Sequence, residues 1–166
     1  MKAFLTAFSI FAFFKLDCAQ ANSCAFCNSE IIESQAAFKS KYFTVAVDYA
    51  PRVPGHLLVI PKRHIMKAHE LSSEEWEELS LIIPKVVQIF SEYLHTDEYI
   101  ILEKNGPGAF QTVPHVHFHL FPVRNQKWPE IFDIVPDRLS AEELENEINR
   151  FRSYFLMVNS MDNKEH

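Results

Sequence analysis

The chain has 166 residues, a formal net charge of -6, 48% apolar residues and 23% charged residues. That length and balance describe a globular chain able to bury a core, and they exclude a disordered segment. No basic run or stripe occurs, which argues against a nucleic-acid polymer as partner but leaves room for a small phosphate ligand.

The first element is an apolar run from Ala3 to Phe14 behind Lys2, followed by Ala19-Gln20-Ala21. A basic start, a short apolar core and a small-x-small site predict a secretory signal peptide spanning 1–21. The run is too short for a permanent membrane helix. A buried or amphipathic first helix is the other reading. Cleavage after Ala21 leaves residues 22–166 as one domain with no stable membrane span. Such a chain is exported, periplasmic or secreted; without cleavage it stays cytoplasmic. Cleavage also removes Cys18 and leaves two of the 3 cysteines, Cys24 and Cys27.

Beyond that segment, Tyr42–Asp48 is β-branched and aromatic and predicts a strand, with Ser34–Lys39 as its hairpin partner. Pro51, Pro54 and Gly55 mark a loop, and His56–Ile60 predicts a buried strand stopped by Pro61. Ser72 with Glu75 reads as a capping box opening a helix from Ser73 to about Leu94, with a kink expected at Pro84. Tyr99–Leu102 predicts a third strand and Asn105–Gly108 a turn. His115–Phe121 predicts the clearest strand. Ser140 with Glu143 opens a last helix reaching about Met157. Strands in the middle with two separated helices predict an α+β fold on a mostly antiparallel sheet.

The chemistry concentrates at His115, His117 and His119. Alternation along a strand sets these three on one face and Val116, Phe118 and Leu120 on the other. Three imidazoles on one face fit a metal site, or nucleophilic catalysis in which one His attacks and its neighbours fix its tautomer. Cys24-Ala25-Phe26-Cys27 has the spacing for two thiolates on one zinc ion, which wants four ligands. A redox pair or disulfide, or two unpaired thiols, are the other readings. Gly55–His64 adds His56 and His64 at either end of the strand. Lys62 and Arg63 follow as phosphate contacts or as solvated surface.

Four segments together resemble the histidine triad (HIT) superfamily. They are Cys24–Cys27, Pro54–His64, the Asn105–His115 stretch with its Gln-Thr-Val, and the H-x-H-x-H run. The resemblance implies a five-stranded antiparallel sheet with helices packed on it, and commonly a homodimer. It implies hydrolysis or transfer at the α-phosphate of a nucleotide, of the dinucleoside polyphosphate or nucleoside phosphoramidate type. His117 matches the nucleophile that forms a nucleotidyl-histidine intermediate. His119 and His56 match the histidines around the α-phosphate. Gln111 and Thr112 match the pair near the scissile bridge, with Thr112 as a proton relay, and Asn105 lies among the substrate contacts. In the zinc-bearing branch the ligands fall at Cys24, Cys27, His64 and His115, which makes the zinc structural. No catalytic cofactor is implied. Two positions depart from the pattern. Lys104 stands where many relatives carry Asn or Gln, and Phe110 where Gly is usual. An exported metal-binding protein, with the triad face itself holding zinc or copper, and a silent nucleotide-binding module are the competing functions.

Overall fold

The computed structural model describes residues 24–125 and 129–162. The segment read as a signal peptide lies outside the described residues. Five strands form one antiparallel sheet: β1 (Ala36–Lys39), β2 (Phe43–Val47), β3 (Leu57–Pro61), β4 (Tyr99–Glu103) and β5 (Phe118–Pro122), in the order β1-β2-β3-β5-β4. The helices are α1 (Ser29–Glu33), α2 (Ser73–Ile89), α3 (Glu130–Asp133) and α4 (Ala141–Asp162). The α+β class and the five-stranded antiparallel sheet agree with the reading of the sequence.

Burial explains the sheet. Every residue of β2 and β3 is buried, as expected for central strands covered on both faces. On one face Phe43, Val45, Leu57, Val59, Phe118 and Leu120 pack against Leu79, Val86, Ile89, Phe151 and Phe155 from α2 and α4. The opposite face carries Ala46, Leu58 and Ile60 under Phe26 and Ile32.

Both predicted capping boxes form. The Ser72 hydroxyl accepts from the Glu75 amide while the Glu75 carboxylate accepts from the Ser72 amide at 2.7 Å. Ser140 and Glu143 make the same exchange. The helix opened by Ser72 passes through Pro84, ends its α-helical geometry at Ile89 and widens into a π-helical turn over Phe90–Leu94. The last helix runs past Met157 to Asp162.

One strand differs from its prediction in a way that matters. Pairing of β5 begins at Phe118, three residues after His115. On one side β4 runs out at that level, since its last residue, Glu103, is the partner of Phe118; on the other, β3 continues to Pro61 but its pairing with β5 stops at Val59. His115–His117 lie ahead of the ladder. The Val116 amide donates instead to the Ile65 carbonyl at 2.8 Å. The alternation survives, with Val116, Phe118 and Leu120 all in the main core.

Gly55 is demanded twice. It sits at φ +88°, and a Cβ there would lie 2.4 Å from Leu94 Cδ1 and 3.1 Å from Pro122 Cγ. This fixes the loop that delivers His56 to the end of β3.

Candidate active site and metal cluster

His117 is 5% exposed, and its Nδ1–H donates to the His115 carbonyl at 2.7 Å. That bond leaves Nε2 with its lone pair free, the atom a nucleophilic or metal-binding imidazole needs. The Phe26 ring meets His117 edge to face at 5.1 Å and His115 at 5.9 Å. Phe26 comes from between the two cysteines, so the amino-terminal knuckle packs directly on the triad.

His119 stacks on Phe121 and lies with Nδ1 2.9 Å from His56 Nε2. On the far side of His56, Asp48 Oδ2 is 3.3 Å from Nδ1, which has no hydrogen-bond partner of its own. The three make a chain Asp48–His56–His119. Asp48 was not singled out in the sequence, where it reads only as the end of a strand. Its approach depends on the loop over residues 51–55 folding back.

A cavity of about 160 Å³ joins these groups. Its walls include Asp48, Arg52, Lys104, Thr112, His117 and His119. Ligand pockets usually run to roughly 300–1,000 Å³, so this cavity is sized for the reacting end of a substrate. Burial holds His117 below the usual imidazole range, opposed by its bond to the His115 carbonyl and assisted by the Lys104 charge. Burial also takes His119 down to about 3, with His117, Lys104 and Arg52 adding to the effect. His56 falls well below its ordinary value for the same first reason, with His119 next. Burial raises the Asp48 carboxyl. All three imidazoles are neutral bases at neutral pH.

The structure places Asn105 and Gln111 outside the cavity lining. The Asn105 Oδ1 accepts from the Ala68 amide at 2.8 Å, and its Nδ2 donates to Glu103. Gln111 Oε1 accepts from the Gly106 amide at 2.8 Å while Nε2 donates to the Met66 carbonyl at 3.0 Å. Both amides are spent on holding the loop over 105–114. Lys104 enters the cavity in place of Asn105, because strand alternation points residues 102 and 104 the same way. Lys62 and Arg63 are not cavity residues either. Arg63 forks onto the Glu75 carboxylate at 2.8 and 3.1 Å, and Lys62 reaches the Ser40 carbonyl.

A second cluster lies behind the triad. Cys24, Cys27, His64 and His115 bring one ligand atom each within 4.8 Å of one another and could hold a metal ion. Cys24 Sγ is 3.4 Å from His115 Nδ1, and Cys27 Sγ is 3.2 Å from His64 Nδ1 and 3.6 Å from His115 Nδ1. The His115 Nε2–H points to the Pro61 carbonyl at 2.8 Å, which turns the Nδ1 lone pair toward the sulfurs. Both cysteines are free thiols. Burial first, and then the neighbouring Cys24, push the Cys27 thiol up to about 12. A bound cation reverses that penalty by stabilising thiolates.

Residues 29–126 match the HIT domain. The chain belongs to the HIT family. A HIT-family adenosine 5'-monophosphoramidase of Schizosaccharomyces pombe is 37% identical over 110 residues, 61% of this chain and 79% of that protein. A bis(5'-adenosyl)-triphosphatase of Dictyostelium discoideum is 29% identical over 131 residues, 75% of this chain and 88% of that protein. Among solved HIT structures, a Zn-bound family member from Mycobacterium smegmatis superposes with a TM-score of 0.66 at 27% identity. That match covers 85% of this chain and 99% of the other. A hypothetical histidine triad nucleotide-binding protein from Sulfolobus tokodaii gives 0.68 at 26% identity, over 81% and 93% of the two chains.

Proposed function

We propose that this HIT protein is a nucleotide hydrolase acting at the α-phosphate through a nucleotidyl-histidine intermediate on His117. The observation that carries the reading is the Nδ1–H bond from His117 to the His115 carbonyl, which leaves Nε2 unprotonated at the cavity wall. Nε2 attacks phosphorus, a P–N bond forms, and the bond to the leaving group breaks with its electron pair. Water then attacks the same phosphorus, returns the electron pair to Nε2 and releases the nucleoside monophosphate. His119, hydrogen-bonded to His56, faces the phosphoryl oxygens as they gain charge. Thr112 lines the same cavity and relays a proton to the leaving atom. His117→Ala tests this. Incubation with diadenosine triphosphate should give wild-type protein a transient mass increase of one adenylyl group and the variant none. Turnover near the wild-type rate in the variant would overturn the reading.

Zinc fits the rear cluster. With Zn–S of about 2.3 Å and Zn–N of about 2.0–2.1 Å, a tetrahedral ion sets sulfur and nitrogen ligands about 3.5 Å apart. Three of the four sulfur–nitrogen spacings here run from 3.2 to 3.6 Å, and all the ligand atoms lie within 4.8 Å of one another. Cys24, Cys27, His64 and His115 would hold the ion, which supplies a four-ligand cross-link between the amino-terminal arm and the strand that carries the nucleophile. The thiols and imidazoles behind the triad favour this over a metal on the triad face, where His56 and His119 are hydrogen-bonded to each other.

The working form we propose is a homodimer joined through the free edge of β4. The leader over 1–21 directs its export.

A further inference from the structure

The cavity is cationic although the chain is acidic. Arg52 and Lys104 supply two positive charges against one carboxyl, Asp48, in a protein of net charge -6. The two cations are held differently. Arg52 donates to the carbonyls of Phe132 and Ile134, so its guanidinium doubles as a clamp on the segment beside the cavity. Lys104 makes no ion pair among the described residues.

Register gives Lys104 its address. Along the β4–β5 ladder Leu102 faces His119 and Glu103 faces Phe118. Lys104 is the next residue past the end of β4, as His117 is the residue just before β5. It stands on the same face as Leu102, and both line the cavity with Thr112, His117 and His119. Its charge is felt at both His56 and His119.

An ammonium beside the reacting phosphorus discriminates between leaving groups. When the broken bond is P–O to a phosphate or sulfate, the electron pair stays on the leaving oxygen. Negative charge then accumulates without need of a proton, and a cation stabilises it. When the broken bond is P–N, the leaving nitrogen must gain a proton and positive character, which a neighbouring cation opposes.

Resting on the hydrolase reading above, we infer that Lys104 is the specificity-determining residue of this site. It selects nucleotides whose α-phosphate carries an anionic leaving group, a polyphosphate or a sulfate, over nucleoside phosphoramidates.

The test compares diadenosine triphosphate with adenosine 5'-phosphoramidate in wild type, Lys104→Met and Lys104→Arg. Wild type should favour the triphosphate. Lys104→Met should lower kcat/KM for the triphosphate by at least about tenfold, mainly in kcat because the charge develops in the transition state. Phosphoramidate turnover should hold or rise, and Lys104→Arg should keep the wild-type preference. An equal loss on both substrates, or no change on either, overturns the role of Lys104 and leaves the hydrolase reading standing. If wild-type protein turns over neither substrate, the hydrolase reading fails and the inference with it. Unfolding midpoints for the three proteins should coincide, since Lys104 makes no ion pair that the fold depends on.

Discussion

His117 and its neighbours show how burial and tautomer make a base out of an ordinary imidazole. His56 and His119 are held neutral by burial, His119 down to about 3, and Asp48, Arg52, Lys104 and His117 face the pair. An unfolded histidine protonates near 6.5. Between those values the unfolded chain binds more protons than the folded one, so stability falls as pH drops below about 6.5. For His119 the linkage costs about 1.4 kcal/mol by pH 5.5, and His56 acts in the same direction. Asp48, raised by burial, acts with the opposite sign and offsets part of the loss nearer its own range. Urea unfolding midpoints should therefore decline from pH 7 to pH 5. His119→Asn should flatten the decline. A wild-type profile that stays level over this window contradicts the account. The histidines were legible in the sequence because alternation alone puts them on one face. Asp48 and Phe26 were not, because their approach depends on a loop and a knuckle that no local pattern specifies.

At the scale of elements, the strands were legible wherever β-branched residues coincide with burial, as in β2 and β3. The end of β5 was not. Residues 115–117 have strand composition, but β4 ends opposite Phe118, and the Val116 amide bonds to the Ile65 carbonyl rather than to β3. The short helix α1 also escaped detection. Its five residues are held by a cap, with Asn28 Oδ1 accepting from the Glu30 and Ile31 amides, rather than by periodicity. The knuckle that precedes it carries the clearest element-level consequence. If Cys24–Cys27 is one half of a metal cross-link, Cys27→Ser should reduce bound zinc, measured by elemental analysis of the purified protein, from about one per chain to near none. Thermal unfolding should shift down by several degrees, as a lost structural ligand implies. Chelation of the wild type should produce the same shift. Equal zinc content in both proteins would remove the cluster from the metal account.

At the scale of the whole molecule, the two edges of the sheet are treated differently. The β1 edge is covered by α4, where Phe155 stacks on Phe38 at 4.7 Å and Arg152 donates to the Ala36 carbonyl at 2.8 Å. On the other edge, among the described residues, β4 pairs with β5 alone. Its residues Tyr99 and Ile101 are each 41% exposed, and on the same helix-bearing face Trp76, edge-on to Phe118, is 44% exposed. An uncovered apolar edge strand is a template for pairing with another strand, and a two-fold axis allows β4 to pair antiparallel with its own copy. Ile100 and Leu102 point to the opposite face and pack around Phe121 and Val53, so the pairing edge and the cavity share one strand. A dimer paired through this edge would brace the strand that leads into Lys104. Light scattering should report twice the chain mass at micromolar concentration. Tyr99→Lys combined with Ile101→Lys should yield monomers, because each charge would be buried against its own copy. A wild-type protein that stays monomeric at that concentration would show that the edge is not used.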